Sequence, residues 1–185
     1  EVPDTNQHRL RIYAATAFGS GQHQTTRLCL EFLSRLYHQG FKPAKILDMG
    51  CGSGILALAA LKLWPEAAAV AADIDREAVI VTLQNAADNG LGQRLSAAAG
   101  DGYDNETVSK NAPYDLIFSN ILARPLIAMA PMLAASLSPG GRAVLSGFTD
   151  EQTDWVSDAH RKQGLRPAAE EANENWRAGL MEKNK

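Results

Sequence analysis

The sequence predicts an α/β fold: a mostly parallel sheet with helices on both faces and an antiparallel strand near the C-terminus. Three observations carry that expectation. Short apolar runs at 45–49, 68–72, 95–99, 114–119 and 142–146 are separated by helix-forming stretches, the pattern of successive βαβ units. Gly50, Gly52 and Gly54 lie between the first run and its helix, where open α/β sheets turn towards their ligand. Beyond Gly164 the helical pattern gives way to two β-compatible stretches, 165–172 and 175–181, which read as a terminal antiparallel pair.

Residues 1–11 are polar and lack a clear period, so 1–12 read as a tail or linker stub and 13–185 as the domain. Residues 13–18 are β-compatible, and 19–26 form a polar, glycine-containing loop leading into a helix. Thr25 and Thr26 are its N-cap candidates; Leu28, Leu30, Phe32, Leu33 and Leu36 supply its apolar face. A glycine loop at a helix N-terminus also suits a carboxylate.

The stretch 45–75 is the centre of the chain. Asp48 lies at the end of the first strand, and a nearly all-apolar helix follows from Ser53 to Leu63, closed by Pro65. The strand 68–72 then delivers Asp73 and Asp75 about twenty residues after the glycine turn, where an acidic side chain accepts ribose hydroxyls. A dinucleotide fold needs G-x-G-x-x-G. Here the third glycine comes one residue early, giving D-x-G-x-G-x-G.

The next helix runs from an Asp75 cap to Asn89-Gly90, with Asn85 inside it as a hydrogen-bonding side chain. After the strand 95–99, Asp101 reads either as a ligand contact or as an ordinary turn residue. Strand 114–119 ends in Asn120, a turn former by type but placed opposite the glycine loop. A helix starts at Arg124-Pro125 with Leu126, Ile127, Met129, Met132 and Leu133 as its buried stripe, and the methionines read as core fillers. Ser138 to Gly141 form a turn before strand 142–146, and a helix spans about 150–163. Trp176 reads as packed structure, and Glu170, Glu171 and Glu174 as a solvated face.

The chain has 185 residues, enough for one domain with a real core. Its 45% hydrophobic and 21% charged content are those of a globular protein, and a net charge of -3 argues against a broad nucleic-acid or anionic-membrane surface. No stretch approaches a membrane span and no signal peptide opens the chain, so a cytoplasmic location is expected. Cys29 and Cys51 lack metal or disulfide spacing and read as free thiols. The four histidines, His8, His23, His38 and His160, show no metal-site pairing, so no metal is expected.

TAFGSGQHQTTRLCLEFL resembles the signature of the bacterial methyltransferases that modify the eleventh protein of the large ribosomal subunit, with Ser20 where threonine is common. The resemblance continues through DMGCGSGILALAALKL, DIDREAV, NAADNG, SNILARPL and SPGGRAVLSG, from Ala17 to Gly147. It implies a Rossmann-like class I methyltransferase with a seven-stranded sheet and S-adenosyl-L-methionine as cofactor. It implies Thr26 for the cofactor's methionine end, Gly50 and Gly52 for close approach, Asp48 beside them, Asp73 for ribose and Asp101 near adenine. Asn120 resembles the asparagine that opens the motif of nitrogen-directed methyltransferases, where its amide oxygen and nearby carbonyls orient an amine.

The expected substrate is the large-subunit ribosomal protein, methylated on lysine side chains and at its N-terminal amine. The expected partner is therefore that protein, with no direct nucleic acid and no membrane. Alternatives are a methyltransferase of this fold acting on another protein or a small amine, an NAD-dependent oxidoreductase, and an inert nucleotide-binding module. Transfer requires a neutral amine; His23 is a base candidate by type, though it equally suits orienting the loop. The resemblance also implies a separate N-terminal domain that grips the ribosomal protein, and residues 13–185 are expected to correspond to the catalytic domain alone.

Overall fold

A computed structural model describes residues 9–13 and 23–185. The expected β-compatible stretch at 14–18 and the loop 19–22 lie outside the described residues.

Among the described residues, six α-helices and seven strands follow in order: α1 (Gln24–His38), β1 (Lys45–Met49), α2 (Ile55–Leu63), β2 (Ala68–Asp73), α3 (Arg76–Asp88), β3 (Leu95–Ala99), α4 (Glu106–Asn111), β4 (Tyr114–Asn120), α5 (Ala123–Ser136), β5 (Leu137–Thr149), α6 (Thr153–Arg161), β6 (Leu165–Asn173) and β7 (Trp176–Lys183). The strands make one sheet in the order β3-β2-β1-β4-β5-β7-β6. β1 to β5 pair in parallel, while β7 runs antiparallel between β5 and β6. The order reverses between β1 and β4, so a crevice opens beyond their C-terminal ends.

The central strands are apolar on both sides because helices cover both faces. One core layer joins α1 and α2 to the sheet through Phe32, Leu36, Leu58, Leu61 and Phe118; the other gathers Leu47, Ile117, Leu126, Leu133 and Val156. α3 is capped as its sequence indicates, with the Asp75 side chain accepting from Glu77 N at 2.9 Å and Asn89 as C-cap.

Several elements differ from the sequence expectation for local reasons. α1 begins at Gln24, capped by His23, and Thr25 and Thr26 lie buried within its first turn instead of capping it. The turn at Ser138 to Gly141 is absorbed into β5, whose register against β4 shifts between Tyr114 and Leu116. The expected helix at 150–163 is a 3-10 turn, Asp150–Gln152, followed by α6. The short 3-10 turn Gly102–Asp104 and α4 carry too few apolar residues to show a period and were not expected. On α5 the small residues Ala123, Ala130 and Ala134 join Leu126 and Leu133 in the core, while Met132 is exposed.

Candidate ligand-binding and active site

The glycine turn after β1 places each of its glycines in left-handed backbone: φ is 75° at Gly50, 54° at Gly52 and 78° at Gly54. Such angles are costly with a Cβ present. The neighbours add a second reason at two of the three. A Cβ on Gly50 would meet Ile121 Cγ2 at 2.2 Å, and one on Gly54 would meet Thr82 Cγ2 at 2.7 Å. At Gly52 a Cβ would meet nothing within 4 Å. Gly52 therefore borders open space, and the tight packing of its neighbours fixes it there.

Asp73, at the end of β2, holds this turn. Its Oδ2 accepts from Gly52 N at 2.9 Å and its Oδ1 from Asp75 N at 3.0 Å. The half-buried carboxylate thus joins the glycine turn to the start of α3 and still has lone pairs facing the crevice, since each carboxylate oxygen accepts more than one bond. Thr82, on the second turn of α3, supports the same loop from below: its Oγ1 donates to Gly52 O at 3.1 Å and lies 3.4 Å from Cys51 Sγ.

Asp48 is buried beneath the turn, at 1% exposure, and accepts from Ala57 N in the first turn of α2 at 3.0 Å. Burial pushes its carboxyl up to about 7; the bond from Ala57 opposes that rise and the nearby negative Asp73 adds to it. Burial thus outweighs the favourable helix N-terminus, and the Asp48 carboxyl keeps its proton well above the usual carboxylate range. Burial likewise pushes the thiols of Cys29 and Cys51 far up, so these two buried free cysteines are poor nucleophiles.

Across the crevice, Asn120 ends β4. Its Nδ2 donates to Thr26 Oγ1 at 3.3 Å, which commits the donor side of the amide to α1 and leaves the carbonyl oxygen to accept. The next residue, Ile121, donates from its backbone to Ser146 O at 3.1 Å and packs against the Gly50 backbone. Asn120, Thr26, Gly50, Gly52, Asp48 and Asp73 therefore belong to one contiguous region at the β1/β4 reversal. Asp101 is exposed after β3, where Gly100 N bonds Asp73 O at 2.9 Å, and its side chain makes no capping bond to the 3-10 turn it precedes.

His23 caps α1: its Nδ1 lies 2.8 Å from Thr25 Oγ1, and its ring stands edge-on to Trp176 at 5.1 Å. These contacts suit a residue that orients the helix start. Two supports escaped sequence reasoning. Thr82 leaves no pattern in the sequence, and Ile121, although it lies in SNILARPL, gives no sign there that its side chain closes against Gly50. Among the described residues, no three His, Cys, Asp or Glu side chains gather to hold a metal ion, and no helix is long and apolar enough to cross a membrane.

The family model described as ribosomal protein L11 methyltransferase (PrmA) matches residues 1–184. The chain belongs to that family. Relatives called ribosomal protein L11 methyltransferase are 44% identical over 173 residues in Rhizobium meliloti and 41% identical over 167 residues in Brucella suis. These matches cover 93% and 90% of the chain but 57% and 58% of the relatives, so the chain spans somewhat over half their length. Among solved structures, the ribosomal protein L11 methylase of Lactobacillus delbrueckii subsp. bulgaricus is similar at a TM-score of 0.79 and 29% identity, covering 89% of this chain and 81% of that one. An RNA methyltransferase from Salinibacter ruber, solved with S-adenosyl-L-homocysteine, shares the fold at a TM-score of 0.63 and 18% identity, covering 84% and 92%. The expected fold, a mostly parallel seven-stranded sheet with helices on both faces and a C-terminal antiparallel strand, is the fold observed, and that strand, β7, lies between β5 and β6.

Proposed function

We propose that the chain is the catalytic domain, residues 13–185, of an S-adenosyl-L-methionine-dependent protein methyltransferase that acts on ribosomal protein L11 in the cytoplasm. The observation that carries this reading is the convergence of Asp73, the open side of Gly52 and the Asn120–Thr26 pair on one crevice in a chain of this family. The residues fit the cofactor. Gly52 offers backbone with no side chain in the way, Asp73 offers acceptors for a ribose diol, and Thr26 offers a hydroxyl at a helix N-terminus for a carboxylate. Asp48, whose carboxyl burial holds partly protonated, would ionise more readily beside a cationic ligand and so stabilise it. Asp101, exposed beyond β3, is assigned to the adenine end.

When bound, the cofactor supplies an electrophilic methyl group on a sulfonium. The protein's part is positioning. Asn120 directs its amide oxygen at an incoming amine and helps to hold the nitrogen lone pair in line with the methyl group; complete alignment of donor and acceptor by the whole site contributes on the order of 7–11 kcal/mol. The acceptor must be neutral, while a free lysine with a pKa of about 10.4 is protonated at pH 7. Proximity to positive charge and removal from water both lower that pKa. The acceptors in this reading are lysine side chains of ribosomal protein L11 and its N-terminal amine.

The test is mass spectrometry of ribosomal protein L11 after incubation with the chain and S-adenosyl-L-methionine. Methyl additions localised to lysines or the N-terminus, formed about 10- to 100-fold more slowly with Asn120→Ala, support the proposal. Methylation of other nucleophiles, or transfer at an unchanged rate without Asn120, contradicts the amine-positioning role.

A further inference from the structure

The face of α3 that points away from its exposed side carries Thr82, Asn85 and Asn89, all at least half-buried. The two asparagines do something unusual for helix side chains. Asn89 Oδ1 accepts from Arg11 N at 2.9 Å and its Nδ2 donates to Arg11 O at 2.7 Å. One turn earlier, Asn85 Oδ1 accepts from Tyr13 N at 2.8 Å and its Nδ2 donates to Tyr13 O at 2.9 Å. Each amide therefore satisfies both backbone groups of one residue, as a neighbouring strand would. The orientation of both amides is fixed by these partners, because a flipped amide would face donor to donor.

The spacing explains why the match works. Four residues of helix rise about 6.0 Å, and two residues of extended chain rise about 6.6 Å. Asparagines at i and i+4 thus meet alternate residues of an extended segment running opposite to the helix. Ile12, between these anchor points, and Leu10, just before them, pack against the core.

Asn85 also reaches the glycine turn, since its Nδ2 donates to Ser53 O at 2.8 Å. One amide thus bonds both the 9–13 segment and the loop that Asp73 and Thr82 hold. The Asn89 side chain bonds the segment and the carbonyl of Asn85, the latter at 2.8 Å, while Lys62 Nζ donates to the Asn89 backbone carbonyl at 3.1 Å.

We propose that Asn85 and Asn89 are positioning residues that tie the backbone of residues 11–13 to the glycine turn, so that docking of this segment and ligand binding at the turn favour each other. The inference rests on the reading of that turn as the cofactor site. Because coupling is reciprocal, undocking the segment must weaken the ligand by the same factor by which the ligand secures the segment.

The experiment uses the full chain, as wild type, Asn89→Ala, Arg11→Pro and the double variant. Arg11 is exposed and outside α3, so its replacement removes the donor to Asn89 without disturbing the helix. Two quantities are read: amide exchange at Tyr13 and Gly52 without ligand, and the dissociation constant of S-adenosyl-L-homocysteine. Each single variant is expected to speed exchange at both amides and weaken the ligand by about fivefold to tenfold, with the double variant no weaker than either single. Faster exchange at Tyr13 with Gly52 and ligand affinity unchanged would overturn the proposal, as would losses that multiply in the double variant. Failure of the wild type to bind the ligand would instead sink the cofactor reading, and exchange at Gly52 would still decide the coupling.

Discussion

The carboxylate of Asp73 accepts a hydrogen bond of 2.9 Å from the backbone N–H of Gly52, twenty-one positions earlier. The side chain assigned to the ribose is thus also the one that shapes the glycine turn. Ligand contact and loop geometry cannot be separated at this residue.

Replacing Asp73 with alanine removes acceptors for Gly52 N and Asp75 N as well as for a ribose. Loss of charge-assisted bonds of about 1.5–3 kcal/mol each predicts at least a tenfold weaker dissociation constant for S-adenosyl-L-homocysteine. Asp73→Asn, which keeps one acceptor, should fall between the two. Titration calorimetry on the three proteins checks the order.

Gly50→Ala should destabilise the fold by about 2–4 kcal/mol, combining left-handed strain with overpacking against Ile121. The added Cβ would lie 2.2 Å from Ile121 Cγ2, so Ile121→Ala in the same chain should recover the overpacking share and leave the strain. Denaturant unfolding of both singles and the double measures this. Additive losses would mean that the two residues do not meet.

Asn120→Ala should lower turnover by about 10- to 100-fold while leaving cofactor affinity nearly unchanged, because it removes alignment of the acceptor. Thr26→Val removes the hydroxyl that receives the Asn120 amide at 3.3 Å and should reduce turnover less. Steady-state kinetics with ribosomal protein L11 separates the two. A loss confined to cofactor affinity would reassign Asn120 to the cofactor alone.

Asp48 gives the chain a pH signature. Its carboxyl titrates at about 7 when folded, against an ordinary 3.8. The folded protein therefore holds a proton that the unfolded chain has released, and stability from this group is full below about pH 4, declines as pH rises and is gone above about 7. Asp48→Asn keeps an acceptor for Ala57 N without a charge to bury. Relative to wild type the variant should gain stability between pH 4 and 7, by an amount on the order of 1–4 kcal/mol, and hold that gain at pH 8. Denaturation midpoints at pH 4.5 and 8 test it, and a constant difference at the two pH values would show that Asp48 does not change protonation on folding.

Most of the sheet was legible because each parallel strand is a short, largely apolar run between turn residues, as 68–72 illustrates best. The glycines, Asp48, Asp73 and Asn120 were legible because their spacing follows from a strand feeding a tight turn at the crevice. The docking of residues 9–13 was not, since its backbone is satisfied by side chains of α3 and a polar segment shows no period for such pairing. Nor was the role of His23 as helix cap, because the two threonines beside it are better caps by type yet are drawn into the buried first turn, one of them to receive Asn120. Thr82 was silent for a similar reason: a threonine that supports a loop through space leaves no local pattern.

The most direct measurement is calorimetric titration of the purified chain with S-adenosyl-L-methionine and, separately, with NAD. Selective binding of S-adenosyl-L-methionine, weakened by Asp73→Ala, is the predicted result. Selective binding of NAD, or binding of S-adenosyl-L-methionine that is indifferent to Asp73, would contradict the assignment of the crevice.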